Sequence, residues 1–396
     1  MMLKKLDELD VRIEKFYNPV LFLFICMLFA FYEYRIIVSA VFIIIFLYYF
    51  VRKNSYFSLF TLWNILFIAL CGFSLLWSYN TAQTYIETRI MIELAIISNL
   101  IIAFIDNKEK LVSLYKYLVG AGVVLIIRLA YEFPLNTWLS GRLGSTGDFN
   151  PNKIGLYLTI SALCTFHFAL IKNKKWFYVL FSIFTVVIVL TGSRKAFLML
   201  VLGACLLYYL NIGRFKSRSK QLLSLVITVV LLLISYFLVM NIPVFYELLG
   251  SRLESMMLIF TGSSDLDYSS NERIKMIEVG MSLIGDSPIW GSGIGSYGLV
   301  SGFNRYSHNN YIELLVGLGV IGLILYYSMI IYVIYKLIKV INSIDGNPLL
   351  VILSLLLVMD FALVSYNGPI YQLIIALGFV AIRIIKPENS LKNFKL

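Results

Sequence analysis

Apolar runs of transmembrane length recur along the whole chain, at about 19–33, 36–51, 57–77, 89–105, 111–131, 154–171, 176–191, 196–212, 221–242, 309–338, 349–365 and 370–385. Several sit near the lower limit of about 17 residues for a spanning helix. The pattern predicts an all-α fold, a polytopic membrane helix bundle of about twelve transmembrane helices forming one integral membrane domain over residues 1–396. No internal repeat of the kind that marks many transporters is visible.

The segments between the runs are unequal. Outer connections are predicted at 132–153, 192–195 and 243–308, and the last is too long for a simple link, a property of functional loops. Within it Ile274, Ile277, Met281 and Ile284 recur at helical spacing. Ser270 or Asn271 caps this helix, Glu272 adds negative charge at its start, and Asp286-Ser287-Pro288 ends it. Gly291, Gly293 and Gly295 then predict a flexible turn. The helix is expected to lie along the membrane surface or to pack on the bundle.

Composition agrees with a lipid solvent. The 396 residues are 60% hydrophobic and 14% charged, against about 25% charged in a soluble domain, too few polar groups to cover a surface in water. A net charge of +11 would suggest nucleic acid in a soluble protein, but here the lysines and arginines cluster briefly between apolar runs, as cytoplasmic loops do. Nucleic acid is therefore not an expected partner. With the N-terminus inside, the clusters at Lys4, Lys5, Arg12 and Lys15, at Arg52 and Lys53, at Lys108 and Lys110, at Lys172, Lys174 and Lys175, at Arg214 to Lys220 and at Lys336 and Lys339 are all cytoplasmic, and so is the C-terminus. The first 18 residues read as a cytoplasmic lead-in and not a cleaved signal. Cys26, Cys71, Cys164 and Cys205 each lie inside an apolar run and read as packing residues.

Charges in or beside the spans point to function. Arg35, Arg89, Glu93, Arg128, Glu132, Arg194 and Asp360 fall in outer turns or outer halves of spans, whereas Lys116 and Arg383 lie near inner ends where they snorkel. The bias predicts a polar cavity opening outward, although any one residue serves equally well in a structural ion pair. The outer loops add Arg142, Arg252, Arg273 and Arg305. Guanidinium forks suit phosphate oxygens, and a lipid-linked phosphate or pyrophosphate justifies placing them outside, with ordinary anionic headgroups as the other source. His167 reads as packing or interfacial. His308 stands at the end of the long loop, before Asn309, Asn310 and Glu313, and is the candidate for proton transfer. Asp265 and Asp267 form a weak Asp-x-Asp pattern, and neither a metal nor another cofactor is expected.

Four segments resemble the O-antigen ligase and polymerase superfamily: Thr191-Gly192-Ser193-Arg194; Asn271-Glu272-Arg273 with the turn from Pro288 to Gly295; His308-Asn309-Asn310-Tyr311 running into the glycines 317, 319 and 322; and Asn150-Pro151-Asn152. The resemblance implies metal-independent glycosyl transfer at the outer face of the bacterial cytoplasmic membrane from a glycan on undecaprenyl pyrophosphate. It gives Arg194 and Arg273 the pyrophosphate and makes His308 the catalytic base or acceptor-orienting group. Arg128 joins the pyrophosphate set, and Asn152, Arg305, Asn309 and Glu313 are the expected substrate contacts. Membrane lipid and other polysaccharide assembly proteins are the further partners expected. The leading function is a polymerase that moves the growing glycan onto the next lipid-linked repeat unit. The alternatives are a ligase delivering glycan to lipid A core or another acceptor, and a flippase for lipid-linked sugars.

Overall fold

The computed structural model describes residues 2–52, 57–146, 149–172, 174–212, 218–251, 253–254, 268–341 and 344–385. Thirteen principal helices run through these segments: α1 Met2–Ala30, α2 Arg35–Arg52, α3 Leu59–Phe73, α4 Thr81–Phe104, α5 Lys108–Glu132, α6 Pro151–Lys172, α7 Lys175–Leu190, α8 Arg194–Ile212, α9 Arg218–Asn241, α10 Tyr268–Asp286, α11 Asn310–Lys339, α12 Asn347–Met359 and α13 Pro369–Ile384. The described residues contain no strand. Several helix starts carry the side-chain caps that orphaned N–H groups require. The Ser58 side chain accepts from Thr61 N, Asn80 from Gln83 N, and Asn107 from Lys110 N.

Five helical stretches among the described residues are long and apolar enough to cross a membrane: Leu59–Leu76, Lys108–Glu132, Pro151–Lys172, Arg194–Asn211 and Asn310–Lys339. A sixth candidate is the pair Phe16–Ala30 and Tyr32–Leu47 taken together, bent by 115° at the break between them. The expected count of about twelve exceeds this for local reasons. α4 carries Glu87, Arg89 and Glu93, while α7, α12 and α13 are apolar but only 16, 13 and 16 residues long. The outer surface is nonetheless strongly apolar: Ile44, Leu233 and Ile324 are 71%, 62% and 63% exposed on three different helices. Aliphatic faces of this kind are stable in lipid and a liability in water.

α6 is the central pillar, buried along most of its length and packed by α5, α7 and α8. Gly155 lets α8 approach closely, since a Cβ there would stand 2.7 Å from the Cβ of Ala196. Small residues at such crossings are how membrane helices gain contact area. His167 is buried edge-on to Tyr115, which fits the packing role. The four cysteines are free, three buried and Cys205 half-buried.

Candidate functional site

The site begins with a break in α11. Gly319 leaves the helix at φ 64° and ψ −165°, and the turn following α10 fills the gap. Ser292 N donates to Val316 O (2.7 Å), Gly293 N to Gly317 O (2.9 Å), and Val320 N to Pro288 O (2.9 Å). Backbone groups freed inside a membrane-embedded helix need such partners. The glycines of this turn, expected to be flexible, are instead fixed: a Cβ on Gly293 would lie 2.3 Å from Ser78 Oγ, and one on Gly319 would lie 2.2 Å from Ile289 O. Both residues have positive φ, the region only glycine occupies freely.

α10 packs on the bundle through Met276, Ile277, Leu283 and Ile284 against Tyr297, Ile312 and Val316. Its buried face therefore centres on Met276, and Met281 of the expected stripe is 60% exposed. Gly280 completes the buried face, because a Cβ there would meet Ile312 at 2.3 Å. The helix ends at Asp286 as the sequence predicts.

The segment leading into α11 holds His308 at φ 58°, a left-handed conformation uncommon for any residue but glycine. Its flanks are pinned. Ser307 N donates to Glu313 Oε2 (2.8 Å), and Ser307 Oγ donates to Asn309 O (2.7 Å). Asn309 Oδ1 caps α11 by accepting from Tyr311 N (3.0 Å) and Ile312 N (3.1 Å). Asn310 Oδ1 accepts from Ser365 N (2.9 Å) and Tyr366 N (3.1 Å), and Asn310 N donates to Asp360 O (2.8 Å). Asp360 Oδ2 in turn accepts from Tyr327 Oη (2.7 Å). The imidazole stands 4.3 Å, centre to centre, from the Tyr306 ring.

His308, Arg305, Glu313 and Asn152 all line one cavity of about 540 Å³, between the starts of α4, α6, α8, α11 and α13. Asn150-Pro151-Asn152 has a plain physical logic there. The Asn150 side chain accepts from Asn152 N (2.9 Å), Pro151 begins α6, and Asn152 Oδ1 accepts from Ser193 Oγ (3.1 Å). Burial, then the charges of Arg273, Lys195 and Arg305, press the His308 pKa down to about 4. Arg273 thus acts on the same centre although it does not line the cavity, and Arg194 and Arg273 both bear on Lys195. Arg305 also pairs with Glu272, tying the loop to α10.

Other expected residues sit elsewhere. Arg128 bonds to the Ala30 carbonyl, pairs with Glu33 (2.7 Å) and Glu132 (3.4 Å), and lies over the Phe31 and Phe149 rings, so its contacts are those of a brace outside the cavity lining. Asn309 is likewise absent from the lining, with its side-chain Oδ1 committed to the helix cap. Arg142 Nε donates to Thr191 O (3.1 Å) and supports the Gly192 turn. Arg252, Asp265 and Asp267 lie outside the described residues.

The cavity also brings together residues that the sequence did not single out. Lys195, next to Arg194, reaches the Ala362 carbonyl and lines the cavity. Glu87, Gln83, Asn367 and Tyr366 form another wall. The i, i+4 spacing of Gln83 and Glu87 was the available signal, since it places both on one face of α4, while Arg89 turns to the exterior.

A bundle of apolar helices with an apolar outer surface is the build of a multi-pass membrane protein, and its polar, partly cationic cavity lies where several helices start. The family model described as O-antigen ligase matches residues 177–327, from α7 into α11. That segment holds the Gly192 turn, α10, the glycine turn and His308, and it supports the O-antigen ligase and polymerase superfamily for this chain. Members of that family are glycosyltransferase-like enzymes acting on lipid-linked glycans. No curated protein matches the chain.

Proposed function

We propose that the protein is a surface-polysaccharide polymerase, transferring a growing glycan from undecaprenyl pyrophosphate to the next lipid-linked repeat unit. The observation that carries this reading is His308, held in a left-handed backbone on the wall of a cavity and facing the charges of Arg273, Lys195 and Arg305. At neutral pH those charges and burial keep the imidazole neutral, so it has a nitrogen free to accept a proton. The acceptor hydroxyl attacks the anomeric carbon, its proton passes to His308, and the bond to the pyrophosphate oxygen breaks. The leaving group gains charge as it departs, and fixed cations stabilise that charge where it develops. Lys195 and Arg305 serve in the cavity, and Arg273 and Arg194 behind it.

In this reading the bundle has its termini in the cytoplasm and the cavity opens outside the cytoplasmic membrane. The ends of the helices support that orientation. α6, α8 and α11 start at the cavity, whereas α6 and α11 end at Lys172 and at Lys336 and Lys339, and α5 starts at Lys108. Asn152, Arg305 and Glu313 are substrate contacts in this proposal.

A ligase shares the same chemistry, and the description of the matching family favours keeping it as the second reading. Purified protein supplied with one lipid-linked repeat unit and no other acceptor separates the two. A ladder of lengthening products is expected. No ladder, with a single transfer once a lipid A core acceptor is added, would replace polymerase by ligase.

A further inference from the structure

The cavity lining is chemically mixed: Arg35, Lys153, Lys195, Arg305 and His308 are cationic or basic, and Glu87 with its amide partners supplies a carboxylate. Glu87 is 6% exposed. Its Oε1 accepts from Gln83 Nε2 (3.0 Å) and its Oε2 from Asn367 Nδ2 (2.9 Å). Among the described residues no lysine, arginine or histidine forms an ion pair with it. Burying a carboxylate without a counter-charge is costly, and two neutral amides with the Tyr366 hydroxyl recover only part of that. A buried carboxylate lining a cavity is the kind of precisely placed polar group that orients a ligand.

The geometry suits a sugar. An ionised carboxylate accepts up to about four hydrogen bonds, so Glu87 retains capacity toward the cavity it lines. Hydroxyl-to-carboxylate bonds are short and roughly twice as strong as neutral ones. The wall is rigid: a Cβ on Gly295 would come within 2.9 Å of the Cγ atoms of both Gln83 and Glu87, so the glycine turn presses on this pair.

We propose that Glu87, oriented by Gln83 and Asn367, is the acceptor-sugar subsite, accepting hydrogen bonds from hydroxyls next to the one that becomes glycosylated. The sugar taken at this subsite is neutral where it meets Glu87, because a hexuronic carboxylate placed there would face the Glu87 carboxyl. This rests on the glycosyl-transfer reading above.

Two measurements test it. In turnover with a pre-extended lipid-linked glycan as donor and the single lipid-linked repeat unit as acceptor, varied separately, Glu87→Gln should raise the acceptor KM about tenfold or more with donor KM and thermal stability unchanged. Asn367→Ala should do so to a smaller degree, and Arg89→Ala on the exterior of the same helix should do nothing. A fall in kcat with the acceptor KM intact would make Glu87 the proton acceptor and overturn the anchoring role. The second measurement needs no turnover. Saturation-transfer NMR on the purified protein with methyl glycosides of glucose, N-acetylglucosamine and glucuronic acid should show transfer to the neutral pair, lost in Glu87→Gln. Signals from wild type no stronger than from the variant, or strongest for the glucuronide, overturn the subsite even if polymerisation is observed. If the neutral sugars bind through Glu87 but no glycan is ever transferred, the subsite stands and the glycosyl-transfer reading fails.

Discussion

His308 sits in an unfavourable backbone region and has a pKa near 4, and both follow from its setting. Three neighbouring cations and burial oppose its protonation. In the free protein the imidazole therefore stays neutral down to about pH 4, against an unfolded value near 6.5. The sign for stability follows from proton counting. Between about pH 6.5 and pH 4 the unfolded chain binds a proton that the folded chain does not, so stability falls as pH drops through that window. His308→Asn should flatten this decline in melting temperature between pH 7 and pH 5, and asparagine tolerates the left-handed backbone. An unchanged slope would mean that the charges do not act on His308. A bound pyrophosphate cancels the same cations and returns the pKa toward its ordinary range. The acidic limb of kcat should then lie at higher pH than that of kcat/KM, which report the complex and the free enzyme respectively. Coincident limbs would separate His308 from the donor site. Arg273→Lys tests the cations: if Arg273 grips phosphate with two parallel donors, lysine should cost at least tenfold in kcat/KM, and full activity would leave only its charge in play.

At the level of elements, the glycine turn seated in the break of α11 organises the site. It places Gly295 on Glu87 and Gln83 and aligns the loop that carries His308. Gly319→Ala has to move Ile289 O away from a 2.2 Å contact and adopt positive φ, so a loss of roughly 2–4 kcal/mol, seen as a lower melting temperature, is expected. A similar loss is expected of Asn310→Ala, which strips the partners from two buried N–H groups, Ser365 and Tyr366. Wild-type stability in either variant would mean the turn and α11 are not coupled as described. Much of this scale was legible in advance. Helical periodicity located α10 and its end at Asp286, and Asn150-Pro151-Asn152 was visible by resemblance as an outer-loop element, though not as the start of α6. The break at Gly319 was not legible, because a glycine inside an apolar run reads as tolerated packing until a second segment is known to fill the gap. The same holds for Met276, whose burial depends on what α10 meets and not on its own period.

For the whole molecule, hydropathy made the apolar helices legible but not how they divide into spans, since bends such as the 115° bend between α1 and α2 have no hydropathy signature. The cavity was foreshadowed by charges crowding the outer halves of spans, yet which charges line it was not. Arg128 and Glu33 neutralise one another at a brace outside the lining, Arg35 lines the cavity while bonding Glu93 at 3.2 Å, and Lys195 and Glu87 come to the cavity only through the assembly of distant helices. The proposed orientation predicts that a single cysteine at Asn304, exposed beside the cavity, is labelled by an impermeant maleimide from outside intact cells. One at Lys108 should react only after permeabilisation. The reverse pattern would place the cavity in the cytoplasm and remove the exterior acceptor.

The central claim is that one cavity couples pyrophosphate departure to glycan growth through His308. Its most direct measurement is the amount of polyprenyl pyrophosphate released per sugar repeat added, by purified wild type and by His308→Asn, from a single lipid-linked repeat unit. The account predicts one pyrophosphate for each repeat in wild type, and loss of both products together, by at least about a hundredfold, in a variant of unchanged abundance. Growth of polymer by the variant at near wild-type rate, or growth without pyrophosphate release, would contradict it.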